Sequence, residues 1–342
     1  MKSLQSSCEN IIAEYVKSEK LPQEFLGFAE EICEGAVRGL DIHQFNNIEE
    51  WAEWLSWASV VLDERDYLTA AVHALRLAPG LPATDYGTAR QRDLGQQWTD
   101  AIRGLLGEIA FAKWFKLRFG IEVALDFSKG RLEEFLPSDI KKVSGREPRL
   151  NTSIKTTKFR GVWLDVPYAQ IKHSDVFVLV RVGVTREHFL AFLKKISVIR
   201  DKILSEARRL EVISDSELEE VWGKIPEFKN VPAYVAGFLY KKEFASELEK
   251  ERVLVADCAV RGRKKTRLVI NKFLGYWDPR SGEYRSILLE KCRKALTAVE
   301  SAENIDIEFE GIGSFSETLH FIASSGVLKR KQHEWEVIAR EI

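Results

Sequence analysis

Apolar residues recur at helical spacing in the first quarter of the chain. Between residues 10 and 76 they fall three or four positions apart, which is the period of helices that bury one face. The spacing predicts three or four helices there. Trp51, Trp54 and Trp57 would suit base stacking, but two of them share a stripe with Leu55 and Ala58. We therefore interpret these tryptophans as core residues.

A loop and one long helix are predicted next. Residues 77–88 contain two prolines and two glycines, which favour a loop. Residues 93–119 have the apolar stripe of a helix, and Glu108 falls at the edge of that stripe rather than on the opposite face. A carboxylate in that position needs a cation, a metal ion or water. Glu108 is thus either a boundary residue paired with a lysine or a functional carboxylate.

Short strands follow Gly120. Strand-like segments lie near residues 121–125, 139–143, 150–157, 162–166 and 176–182, with a turn at 145–148. Residues 175–182 are apolar almost without a break, which predicts a strand covered on both faces. Helical spacing returns over 187–229, before strands at 233–239, 253–256 and 268–270 and a helix over 284–302.

This alternation predicts an α/β protein of the α+β type, in which helices flank a central mixed sheet. We divide the chain into an N-terminal helical region (1–88), the first part of the core (89–185), a helical insertion (186–230) and a final part (231–342). The final part holds the remainder of the core and the C-terminal region.

Charge and cysteine content exclude few partners or cellular settings. The 51 basic and 52 acidic residues nearly cancel, so only local clusters could indicate a nucleic-acid partner. The four cysteines form no Cys-x-x-Cys motif, which suggests neither a zinc ribbon nor a disulfide framework and fits a reducing, cytoplasmic setting. No signal-peptide pattern and no apolar run of about 20 residues is present, so we expect a soluble protein without a membrane partner.

One local cluster is strongly basic. Five cations occur within seven residues on a predicted hairpin turn, namely Arg261, Arg263, Lys264, Lys265 and Arg267. They could hold a DNA backbone, or they could form a solvated loop. The sequence leaves both interpretations open.

A second set of residues suits phosphodiester hydrolysis. That reaction needs an activated water and positive charge at the transition state, and Mg²⁺ with oxygen ligands supplies much of both. Asp139 and Glu108 are suitable carboxylate ligands, and the carbonyl of Ile154 is a third. Lys155 would lie near the attacking water. Ser153 shares its strand face with Lys155, because side chains alternate along a strand.

The order of these segments resembles the PD-(D/E)xK nuclease superfamily. The likeness covers about residues 100–239 and rests on Gly107-Glu108, Ser138-Asp139 after a proline, and Ser153-Ile154-Lys155 followed by two threonines. It implies the restriction-endonuclease-like fold.

The resemblance also implies a role for each site residue. Asp139 would be a metal ligand, Lys155 the catalytic lysine, Glu108 the helix carboxylate, and Gln170 an accessory polar residue near the phosphate. Ser153 departs from the family pattern, which has Asp or Glu there. Glu108 is our candidate to replace that missing carboxylate, with Asp165 or Asp175 behind it.

By resemblance, we expect a Mg²⁺-dependent endonuclease that cuts double-stranded DNA, most readily a type II restriction enzyme acting as a homodimer. The chain has no Walker-type segment for a helicase partner. Two alternatives stay open. A repair or junction nuclease would share the metal site and read DNA shape, and a catalytically inactive DNA-binding protein would account for Ser153.

Overall fold

The fold is described by a computed structural model. It describes residues 2–77, 93–127, 138–245, 253–261, 267–297, 305–312, 315 and 318–342. Within its described residues, the N-terminal region contains four α-helices, in agreement with the three or four predicted. They are α1 (Lys2–Lys17), α2 (Ala29–Arg38), α3 (Ile48–Ala58) and α4 (Glu64–Leu77). The loop predicted at 77–88 lies outside the described residues from residue 78 onward.

One N-terminal prediction is wrong. The helical spacing predicted between residues 10 and 76 includes Val61 and Leu62, but these residues belong to a strand, β1 (Ser59–Leu62), between α3 and α4. Val60 and Leu62 are buried there. A four-residue apolar segment cannot be assigned to helix or strand by its period alone, and β-branched valines favour a strand.

The tryptophans of α3 are core residues, as predicted. Trp51 is fully buried and Trp54 is 7% exposed. Trp57 is half-buried, and its ring packs edge-on against Trp114 with 5.1 Å between ring centroids. Packing of these rings therefore accounts for the cluster.

The long predicted helix is α5 (Leu94–Phe119). Its first turn is capped by Asp93, whose Oδ1 accepts a hydrogen bond of 2.7 Å from the backbone N–H of Gln96. It ends at Gly120, which has a left-handed φ of 67° that glycine adopts at low cost. Both boundaries were readable from the sequence because both depend on local contacts.

The strands and helices of the middle part follow the predicted order. They are β2 (Val123–Leu125), β3 (Ile140–Val143), β4 (Thr152–Thr157), β5 (Trp163–Pro167), the short α6 (Tyr168–Ile171), β6 (Val176–Val182), the insertion helices α7 (Arg186–Lys194), α8 (Ser205–Arg209) and α9 (Asp215–Lys224), and β7 (Val231–Tyr240).

The C-terminal part departs further from the prediction. Its elements are α10 (Lys241–Ala245), β8 (Val253–Arg261), β9 (Arg267–Trp277), α11 (Gly282–Lys291), α12 (Arg293–Leu296), β10 (Asp306–Phe309), β11 (His320–Ser324) and α13 (Gln332–Glu341). The two hairpin strands are longer than predicted. The helix expected over 284–302 is interrupted at Cys292, and residues 298–304 lie outside the described part of the chain.

Two larger sheets organise most of these elements, and β2 and β3 form a separate antiparallel pair. The central sheet has the order β1-β7-β6-β4, with antiparallel pairs except for the parallel pair of β6 and β4. The second sheet has the order β10-β9-β11-β5, and β8 also pairs with β9. Helices cover the central sheet, so the predicted α+β class is confirmed.

Strand β6 shows why its sequence is apolar throughout. Val176, Val178 and Val180 pack into a core with α5, α4 and α13. Phe177 and Leu179 point the other way, into a core shared with the N-terminal helices and the second sheet. All seven residues of β6 are buried, which confirms that the strand is covered on both faces.

The cysteine prediction is wrong in one respect. Cys8 and Cys33 form a disulfide that joins α1 to α2 across 25 residues of sequence. Their distance along the chain hid a contact that the packing of two helices creates. Cys258 and Cys292 are free thiols. None of the described helices combines the length and apolar character needed to cross a bilayer.

Candidate active site

Helix α5 approaches β4 closely at a glycine. A Cβ atom built on Gly107 would lie 1.9 Å from Oγ1 of Thr156, so no larger residue fits without movement. The same Thr156 hydroxyl donates a hydrogen bond of 3.0 Å to the carbonyl of Gly104. Glu108 follows Gly107 directly, so this close packing fixes the position of Glu108 along β4.

Substituting this glycine gives a direct test of the close approach. We expect Gly107→Ala to lower the free energy of unfolding by about 1–3 kcal/mol, because the added methyl group overpacks the α5–β4 contact. Urea denaturation measures the effect.

Gly104→Ala is the matched control for this prediction. A Cβ on Gly104 meets nothing within 4 Å, so alanine there should stabilise the helix by about 0.5–1 kcal/mol. Equal effects of the two substitutions would contradict the close packing of α5 on β4.

Asp139 is held at the edge of β4. Its backbone N–H donates to the carbonyl of Thr152 at 2.8 Å, and its Oδ2 accepts from the N–H of Ile154 at 2.6 Å. The preceding residue helps, since Oγ of Ser138 accepts from the N–H groups of Thr152 and Ile140, both at 3.1 Å. The segment before β3 is thereby fixed beside the strand that carries Lys155.

Ser153 has a different role from the acidic residue that the family pattern has at this position. Its side chain is buried, and its hydroxyl donates a hydrogen bond to the Asp139 carboxylate. Ser153 therefore orients Asp139, as a hydrogen-bond donor in place of a second carboxylate.

Lys155 lies on the same face of β4 as Ser153, and its side chain extends towards α6. Its Nζ donates a hydrogen bond to Oε1 of Gln170. In the sequence, only the resemblance to the PD-(D/E)xK superfamily places these two residues in one site. Because Gln170 lies in the short helix that directly follows β5, the β5–α6 corner fixes the position of the Lys155 ammonium group.

The charges of the three segments interact. Burial raises the pKa of Glu108 well above its ordinary value, and the negative charges of Asp139 and Asp126 raise it further, against the opposing effect of Lys155. Burial also raises the pKa of Asp139, although Lys155 and the hydrogen bonds from Ile154 and Ser153 oppose the shift. Residues distant in sequence therefore share one electrostatic site.

The pKa of Lys155 shifts in the opposite direction. Burial lowers the pKa of its ammonium group, and the nearby carboxylates of Asp139, Asp165 and Glu108 oppose that shift. A lysine with a lowered pKa can exchange a proton near neutral pH more readily than an exposed one. This property suits a residue that holds or deprotonates a water molecule.

The structure adds Asp126 to the predicted residues. Its backbone N–H donates to the carbonyl of Asp139 at 2.9 Å, and its charge affects both Glu108 and Asp139. The only sequence signal is its position directly after a predicted strand. Asp175, which the sequence offers as an alternative to Glu108, instead accepts a hydrogen bond of 3.0 Å from the N–H of Asn151. It thereby stabilises the start of β4.

A cavity of about 660 Å³ opens beside Lys155. Basic side chains predominate among its charged residues. The cations are Arg38, Arg103, Lys155, Lys158 and Arg160, and the acids are Asp165 and Glu310. Arg38, Arg103 and Arg160 pair with acidic neighbours, so the charge that the cavity offers an anionic substrate lies mainly at its lysines.

The basic turn lies partly outside the described residues, which omit Arg263, Lys264 and Lys265. At its two ends, Arg261 pairs with Glu310 at 3.0 Å and Arg267 pairs with Glu308 at 3.1 Å. Glu310 also lines the cavity, so Arg261 lies next to the cavity rim. A role of this turn in DNA contact stays a prediction.

The donor set decides whether a divalent cation fits. Within the described part of the chain, no three His, Cys, Asp or Glu side chains form a group that could hold a metal ion. Glu108 and Asp139 are the candidate carboxylate ligands, and the carbonyl of Ile154 is a candidate third oxygen. Mg²⁺ commonly binds through one or two carboxylates and keeps several waters, and an added cation would offset the repulsion between these carboxylates.

Comparisons with protein-family models, with curated proteins and with solved structures find no significant match.

Proposed function

We propose that this protein hydrolyses phosphodiester bonds of DNA with the help of a divalent metal ion, on a fold of the restriction-endonuclease-like type. The observation that carries the proposal is the convergence of Glu108 on α5, Asp139 just before β3 and Lys155 on β4. Their charges interact in one partly buried site beside a basic cavity.

Glu108, Asp139 and the carbonyl of Ile154 would hold Mg²⁺. When bound, such an ion supplies Lewis acidity and lowers the pKa of a coordinated water. Asp139 is oriented for this role by the Ile154 N–H and the Ser153 hydroxyl. Ser153 leaves the site with fewer carboxylates than the family pattern, which favours weak metal binding over a pre-formed cage.

Lys155 has the role of the catalytic base or of the electrostatic stabiliser. Held by Gln170, its amine would hold or deprotonate the attacking water, and its ammonium form would stabilise charge on the phosphate. Gln170 thus acts on the reaction by placing Lys155. This assignment deepens the accessory role that the resemblance gives to Gln170.

Within this class we favour a type II restriction enzyme that works as a homodimer on double-stranded DNA. The support is the resemblance together with the insertion helices and C-terminal strands, which provide extra segments for reading a target. Two active sites in a symmetric dimer would address both strands.

Incubating supercoiled plasmid with the protein and Mg²⁺, followed by gel electrophoresis, tests the proposal. Discrete bands support sequence-specific restriction, and structure-dependent nicking supports a repair or junction nuclease. An intact plasmid with a shifted band would contradict the hydrolytic function and indicate a DNA-binding protein. A reaction in EDTA controls for the metal requirement.

The basic cavity leads to a prediction about DNA affinity. Lys158 lines the cavity and is exposed, so it is available to a phosphate. We expect Lys158→Glu to weaken binding of a fluorescent DNA duplex by about tenfold at low salt, with a shallower salt dependence. Fluorescence anisotropy in Ca²⁺ or EDTA measures this without cleavage.

Lys202→Glu is the matched control, because it makes the same charge change at an exposed lysine of the helical insertion that does not line the cavity. We expect it to change the affinity by less than about twofold. Equal losses for the two variants would show that the cavity has no special role in binding DNA.

A further inference from the structure

A buried histidine lies behind the wall of the basic cavity. Strands β5 and β11 pair antiparallel, with Asp165 opposite Ile322 and Pro167 opposite His320. This register places the Asp165 and His320 side chains on one face of the sheet as diagonal neighbours. Nδ1 of His320 lies 2.6 Å from Oδ1 of Asp165.

The imidazole ring of His320 is held at both nitrogens and by an aromatic neighbour. Nε2 of His320 lies 2.7 Å from Oγ1 of Thr318, and the Phe315 ring packs against it with 4.9 Å between centroids. A carboxylate oxygen accepts, so Nδ1 donates to Asp165, and Nε2 is paired with the Thr318 hydroxyl. Only 1% of the His320 side chain is exposed, so it cannot contact a substrate itself.

Asp165 differs from its partner in exposure. Its side chain is 33% exposed, and it lines the cavity together with Lys155. An aspartate that served only to satisfy a buried histidine would need no open side. The open side of Asp165 faces the cavity that holds the lysine.

Two residues of the β5–α6 corner act on the Lys155 ammonium group. Asp165 is the central residue of β5, three positions before the start of α6, and Gln170 of α6 accepts a hydrogen bond from the Lys155 ammonium group. The Asp165 carboxylate also favours the charged form of Lys155. One carboxylate and one amide of this corner therefore act on a single ammonium group.

We propose that Asp165, held by His320, whose ring is in turn oriented by Thr318, is a positioning residue for the Lys155 ammonium group within the cavity. The proposal rests on the nuclease function for its catalytic consequence only. The position of Lys155 can be measured whether or not the protein cleaves DNA.

NMR of the lysine ammonium groups in ¹⁵N-labelled protein measures that position directly. We expect Lys155 to give a protected signal, assigned by its loss in Lys155→Met, and we expect Asp165→Asn to broaden or abolish it. Lys202→Met serves as the control for an exposed lysine. An unchanged Lys155 signal in Asp165→Asn would overturn the proposal.

Kinetics supply the second readout. We expect Asp165→Asn to lower kcat for plasmid cleavage by about 10- to 100-fold with KM nearly unchanged, because a misplaced catalytic group loses rate rather than affinity. His320→Asn keeps an N–H donor near the Nδ1 position and should retain more activity than His320→Phe, which keeps none.

The outcomes separate the two proposals. A wild-type protein that cannot cut DNA, but whose Lys155 signal depends on Asp165, would overturn the nuclease function and keep the positioning role. If the wild-type protein cuts DNA and Asp165→Asn matches it in kcat and in the Lys155 signal, the positioning role is overturned and the nuclease function is kept. If His320→Phe fails to fold, Asp165→Asn still decides, because its side chain keeps the size of the original.

Discussion

Lys155→Met is expected to lower Mg²⁺-dependent cleavage of DNA by about 10²- to 10⁴-fold, the range found when a positioned acid–base group or an electrostatic stabiliser is removed. Methionine keeps the apolar stem of lysine and removes the ammonium group. The hydrogen bond to Gln170 is lost, and so is the positive charge that opposes the raised pKa values of Glu108 and Asp139. Single-turnover cleavage of a plasmid measures the loss.

Asp139→Asn should have a similar effect for a different reason. Asparagine keeps an oxygen that can accept from the Ile154 N–H, so the segment should stay in place while the charge for the metal ion is removed. DNA binding in Ca²⁺ or EDTA and thermal unfolding should change little in either variant. If both variants cleave as fast as the wild-type protein, the reaction does not take place at this site.

Asp41→Ala is expected to lower the free energy of unfolding by about 3–5 kcal/mol, because it leaves two buried guanidinium groups without their counter-ion. Oδ2 of Asp41 lies 2.7 Å from Nη1 of Arg181, and Oδ1 lies 3.2 Å from Nη2 of Arg330. All three side chains are buried. Urea denaturation at pH 7 measures the change.

The matched control is a partly exposed ion pair. Asp66 lies 2.6 Å from Nζ of Lys113, and the two side chains are 20% and 39% exposed. Asp66→Ala should cost less than about 1 kcal/mol, since water screens such pairs. Similar losses for Asp41→Ala and Asp66→Ala would show that the buried cluster contributes no more than a surface pair.

The same cluster has a defined pH dependence. Burial by itself would raise the pKa of Asp41, but Arg181 and Arg330 outweigh it and hold the pKa below its ordinary value. The folded protein therefore binds fewer protons than the unfolded chain as the carboxyl titrates. The contribution to stability is fully present above the unfolded pKa of about 4 and is lost as the pH falls through the folded pKa.

Several parts of the fold could be predicted from the sequence because they depend on neighbouring residues. Helix α5 begins after a capping aspartate and ends at a left-handed glycine, and both signals are local. The unbroken apolar run of β6 indicated a strand buried on both faces. The order of strands and insertion helices followed from changes in apolar period.

Other parts depend on contacts between distant segments. The disulfide of Cys8 and Cys33 needs two helices to pack side by side. The pair of Asp41 and Arg181 joins residues 140 positions apart. The dependence of Asp165 on His320 spans 155 positions. Nothing in the local pattern around these residues specifies which partner the fold provides.

The sequence by itself determined which side chains could do chemistry, the helix that carries Glu108 and the strand that carries Lys155, because hydrophobic period and capping act within a few residues. Only the tertiary structure decided that Ser153 donates to Asp139, that Asp126 joins the site and that a basic cavity opens beside Lys155. Those features arise where the edge of β4, the end of β2 and the β5–α6 corner meet. Sheet pairing over long sequence distances creates that meeting point, and no short window of sequence encodes it.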